Sequence, residues 1–84
     1  MNKNELKKEF FEVLKDYQKY YIENKNLKVN SYFCGNKTSL INDFTEAYED
    51  DDYKMMNKII GAMVCCIKSY KIIKSRKYGG NINE

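Results

Sequence analysis

The sequence predicts an all-α fold, a small three-helix domain organised around a long C-terminal helix. Three observations predict it. The 84 residues contain no proline and only four glycines, at positions 35, 61, 79 and 80, so little interrupts a helix. Residues 51–78 repeat apolar side chains with a helical period. That stretch also opens on acidic residues and closes on cations, which complements a helix dipole.

In chain order, the first helix is expected over about residues 3–24. Asn2 and Glu5 stand three apart as in a capping box, with Asn in place of the usual Ser or Thr. Leu6, Phe10, Val13, Leu14, Tyr17 and Tyr21 form one apolar stripe, while Phe11, Tyr20 and Ile22 lie outside it. A tyrosine-rich flank can bind a partner, but the simpler expectation is rings packed along the helix with hydroxyls in water. Residues 24–37 are punctuated by Asn24, Asn26, Asn30, Gly35 and Asn36. Leu27, Val29, Ser31 and Phe33 alternate as a short strand would. No second strand is present to pair with it, so the expectation is an ordered loop laying Leu27 and Phe33 on the helices.

A second, short helix is expected over residues 39–50. Thr38 or Ser39 would cap it, and Leu40, Ile41, Phe44, Ala47 and Tyr48 give its apolar face. Its other face is acidic, with Asp43, Glu46 and Glu49. The third helix is expected over residues 52–78, capped from Asp50, Asp51 and Asp52, with a frayed tail over 79–84. Met56, Ile59, Ile60, Met63, Cys66, Ile67, Tyr70 and Ile73 share one side of its wheel. Lys54, Lys58, Lys68 and Arg76 share the other, together with the small Gly61 and Cys65. Between residues 55 and 67 the apolar arc covers roughly half the wheel, more than the ~100° stripe of a surface helix. It needs two neighbouring helices, or one neighbour and a second subunit. The sequence reading prefers a homodimer burying Met56, Ile60, Met63 and Ile67. Beyond Tyr70 the pattern breaks, leaving a basic end in solvent.

Composition sets further bounds. At 84 residues a single core is near the lower limit of sufficiency, so one domain is expected over the whole chain. The longest apolar run, residues 59–67, is far short of the ~20 residues of a membrane span. No secretory h-region opens the chain, and three cysteines, an odd number, suggest free thiols in a reducing cytoplasm. Lys, Asn, Ile and Tyr fill nearly half of the chain, and their AT-rich codons suggest a bacterial, phage or plasmid genome. The net charge of +3 conceals a segregation, with −6 over residues 38–52 and +6 over residues 53–84.

Catalysis and cofactors find no support in the sequence. There is no histidine, so Cys34 has no imidazole to activate it, and Cys65 and Cys66 are adjacent rather than spaced for chelation. The run Glu49, Asp50, Asp51, Asp52 lacks the alternating ligands and central Gly of a calcium loop. No metal or cofactor is expected, and the chain is not expected to be an enzyme. What remains is non-catalytic binding of a macromolecular partner, foremost a larger protein, with no membrane association. Small helical inhibitors and accessory factors of phages and mobile elements are often of this size and bias. The alternative is nucleic acid, bound by Lys68, Lys71, Lys74, Arg76 and Lys77 with Tyr70 and Tyr78 interleaved for stacking. A helix-turn-helix is disfavoured, because Asp50, Asp51 and Asp52 would face the phosphates from the recognition helix's leading end.

Overall fold

The structure, a computed structural model, describes residues 2–76 as three helices: α1 (Lys3–Leu27), α2 (Lys37–Glu49) and α3 (Tyr53–Lys74). The start of α1 meets the end of α2, where the Lys3 ammonium donates to the Asp51 carboxylate and the Tyr48 carbonyl. The last turns of α1 and α3 meet where Glu23 faces Tyr70 and Lys74. Thus α1 and α3 run parallel, and α2 lies antiparallel to both. The fold is all-α, with no strand among the described residues.

Each helix begins at an identifiable cap. Asn2 and Glu5 form the reciprocal capping box at α1. At α2 the cap is Asn36, whose side-chain oxygen accepts from the Ser39 amide at 2.8 Å, not Thr38 or Ser39. Asp52 caps α3 by accepting from the Met55 amide. Between α2 and α3 the chain reverses through a Schellman arrangement. The Asp51 amide donates to Tyr48 and the Asp52 amide to Ala47, with Asp51 left-handed at φ 53°. The closing turn of α3 widens over residues 75–76, and the expected continuation to 78 and frayed tail over 79–84 lie outside the described residues.

The expected stripes are the core. Leu6, Phe10, Leu14 and Tyr17 of α1 and Leu40, Phe44 and Ala47 of α2 enclose Met56, Ile59, Ile60, Met63 and Cys66 of α3. Burying each large apolar side chain contributes roughly 1.5–3 kcal/mol before chain entropy is counted. The four residues expected at a dimer interface lie in or against this core. Met56 and Met63 are 0% exposed and Ile60 is 6% exposed inside one chain, with Ile67 half-buried against the same cluster. Two neighbouring helices, α1 and α2, cover most of the wide apolar arc, with Met55 left 41% exposed at its edge.

The connection over residues 28–36 returns along α1 to the level of Tyr17. Val29 and Phe33 turn inward, whereas Leu27 stays exposed. The Tyr17 hydroxyl holds this segment, donating to the Gly35 carbonyl at 2.6 Å and accepting from the Gly35 amide at 3.1 Å. Gly35 sits at φ 148°, a conformation that L side chains rarely adopt. Lys28 ends α1 in the left-handed region at φ 54°, where a Cβ is unfavourable. Replacing exposed Lys28 with Gly is therefore expected to raise stability by up to about 1 kcal/mol. A urea midpoint that rises for Lys28→Gly but not for Lys28→Ala is the check.

Candidate binding surface on the outer face of the third helix

The basic end proposed from the sequence divides when its side chains are placed. Lys68, Lys71 and Arg76 are exposed. Tyr70 is not available for stacking, because it is wholly buried and donates its hydroxyl to Glu23 Oε1 at 2.9 Å. Lys74 binds the same oxygen at 2.9 Å, and Lys71 stands 5.2 Å from the centre of the Tyr20 ring. Hydrogen bonds from Lys74 and then Tyr70 hold the Glu23 carboxyl below its ordinary range. Tyr70 and Lys74 thus fasten α3 to α1 and contribute to structure, while Lys77 and Tyr78 lie outside the described residues. Tyr20, Tyr21 and Phe33 join Tyr17 and Tyr70 in a run of ring contacts 5.3–6.1 Å apart, so these α1 tyrosines pack inward.

A different surface emerges where the 28–36 connection crosses α3. Ser31, Tyr32 and Cys34 on one side and Ala62, Cys65, Ser69 and Ile73 on the other line an open cleft of ≈ 410 Å³. Tyr32 is 76% exposed and Ile72, next to the cleft, 55% exposed. The sequence reading did not single these residues out as a site. The signal was present, since the alternation that turns Phe33 inward turns Tyr32 outward.

Three thiols line this cleft in different states. Cys65 is exposed, Cys34 half-buried and Cys66 buried. Cys34 Sγ lies 3.6 Å from the Tyr17 hydroxyl, and the Cys66 thiol contacts Cys34. Burial, then the neighbouring Cys34, pushes the Cys66 thiol up to about 11 from an ordinary 9.0. Burial first and Cys34 second also raise the Tyr17 phenol above its ordinary 10.0. Both groups hold their protons more tightly in the folded chain than in the unfolded one. The stability contributed by Cys66 is complete below pH 9 and is lost as pH rises from 9 through 11. That of Tyr17 begins to be lost only above pH 10. Urea midpoints measured across pH 7–11 are expected to stay level and then fall from about pH 9. In Cys66→Ala the fall starts later.

Among the described residues no three Cys, Asp or Glu side chains converge as a metal-holding group, and no helix is long and apolar enough to cross a membrane. Compared with protein-family models, curated proteins and solved structures, the chain matches none.

Proposed function

We propose that the chain is a non-catalytic binding module that engages a larger protein, as an inhibitor or accessory factor of that partner, through the outer face of α3. The observation that carries this reading is Tyr32, a 76% exposed aromatic ring standing over a cleft of mostly apolar lining. Exposed aromatics beside a concave apolar floor are the usual anchors of protein interfaces. Tyr32 lies outside the buried core, which leaves its ring accessible to a partner.

Nucleic acid is the second reading. It is favoured by the parallel run of α1 and α3, which gathers exposed Lys25, Lys28, Lys68, Lys71 and Arg76 at one end of the molecule. Such an end attracts phosphates in a salt-dependent way. The two readings separate by mutation. The tagged chain is used for affinity capture from lysate of its native host after nuclease treatment, alongside Tyr32→Ala and the charge-reversed Lys68→Glu/Lys71→Glu. Loss of one captured protein in Tyr32→Ala, with an unchanged circular dichroism spectrum, supports the protein reading. Nucleic acid recovered before nuclease treatment, lost in Lys68→Glu/Lys71→Glu and kept in Tyr32→Ala, supports the other.

A further inference from the structure

We infer that the segment received by the outer face of α3 is an acidic amphipathic helix. This inference rests on the protein-binding reading above and adds the chemistry of the partner.

The argument begins with charge. Between Tyr53 and Arg76 the chain has six cations, Lys54, Lys58, Lys68, Lys71, Lys74 and Arg76, and no Asp or Glu. Glu23 neutralises Lys74, and the Tyr20 ring lies beneath Lys71. Lys54, Lys58, Lys68 and Arg76 are exposed and form no ion pair among the described residues. At about 100° per residue, all four project within about 60° of Cys65, on the outward side. The Lys54–Lys58 pair, one turn apart, is mildly destabilising in the helix by itself. Four unpaired cations around one face form a field that an anionic partner relieves.

Shape then selects among anionic partners. The floor between the cations is Ala62, Cys65 and Ser69, with Ile72 and Ile73 at one end and Tyr32 as a wall. A Cβ built on Gly61 meets nothing within 4 Å, so the approach from that side is open. A phosphate backbone would satisfy the cations and leave the apolar floor and Tyr32 uncovered. A helix with an aliphatic stripe and acidic flanks covers both, in the helix-in-groove manner. Its aliphatic side chains lie against Tyr32 and Ile72, and its carboxylates reach Lys58, Lys68 and Arg76.

The test uses the full chain, immobilised and panned against a random 16-residue peptide display library. Enriched peptides are then synthesised with a fluorophore, and a 20-nucleotide single-stranded DNA of random sequence serves as the competing probe. The expected result is enrichment of Asp and Glu together with aliphatic residues at i, i+3, i+4 spacing. Affinity of the leading peptide should fall at least about tenfold in Lys58→Glu/Lys68→Glu and fall steeply with salt. Circular dichroism confirms that this variant is folded. Enrichment of neutral or basic peptides, or affinity unchanged by charge reversal, overturns the acidic assignment and leaves protein binding standing. No enriched peptide, with the DNA bound and then lost in the reversed variant, overturns both. Sedimentation of the chain alone covers the remaining occupant. A dimer abolished by the same reversal would assign the face to a second copy of this chain in place of a separate partner and overturn the inference.

Discussion

Replacing Phe10 with alanine is expected to remove about 3–5 kcal/mol of stability, most of what a domain of this length possesses. Phe10 is 0% exposed, stacks on Phe44 with ring centres 4.1 Å apart, and meets the edge of Phe11 at 5.0 Å. It stands where α1 and α2 contact each other inside the shared core, so no single side-chain movement closes the cavity left behind. The loss combines the transfer free energy of the ring with the cavity that close packing cannot collapse. Phe10→Leu, which keeps much of the volume, should lose much less. Urea unfolding followed by circular dichroism measures both. A loss under about 1 kcal/mol for Phe10→Ala would mean that α2 does not seat against α1 there.

Tyr17→Phe is expected to cost about 1–3 kcal/mol although the ring is retained. The contacts with Tyr21 and Phe33 remain, but the hydroxyl that bridges the Gly35 amide and carbonyl is lost. Both backbone groups then lack their partner in a site that Phe33 and Cys34 keep partly dry. The effect should be local before it is global. Amide exchange at residues 33–36 is expected to accelerate more than exchange in the middle of α1. Equal acceleration in both would show that the hydroxyl does not hold the connection.

The parts of this fold that were legible in the sequence are those set by local physics. The stripes of α1 and α3 follow from the helical period, and the Asn2–Glu5 box and the Asp52 cap follow from orphan amides at helix starts. The parts that were not legible depend on residues distant in sequence. Tyr70 read both as a member of the apolar side of α3 and as a stacking ring at its basic end, and the period alone does not choose between them. Phe33 from the connection and Glu23 from α1 bury it. Thr38, Ser39 and Asn36 are all competent caps, and the turn at Gly35, pinned by Tyr17, delivers Asn36 to that role. The breadth of α3's apolar arc correctly called for two neighbours. Period alone could not say that α2 folds back to be the second, so Met56, Ile60 and Met63 read as an interface. The outer face was half visible, since Gly61 and Cys65 fell on the side of Lys54 and Lys58. Its cleft exists only because residues 31–34 cross α3 there.

The most direct test of this arrangement is the alkylation rate of each cysteine in the native chain. Iodoacetamide is added at pH 8, and the labelled positions are quantified by peptide mass spectrometry at successive times. Cys65 and Cys66 are neighbours in sequence but lie about 100° apart on the helix. The structure exposes the first and buries the second, whose thiol also keeps its proton. Cys65 is expected to react fastest, Cys34 more slowly, and Cys66 only through unfolding, with the differences disappearing in urea. That order would establish that the Met63 side of α3 faces the core and the Cys65 side faces outward. Equal rates for Cys65 and Cys66, or faster reaction at Cys66, would mean that α3 is turned on its axis, and the proposed binding face would be lost with it.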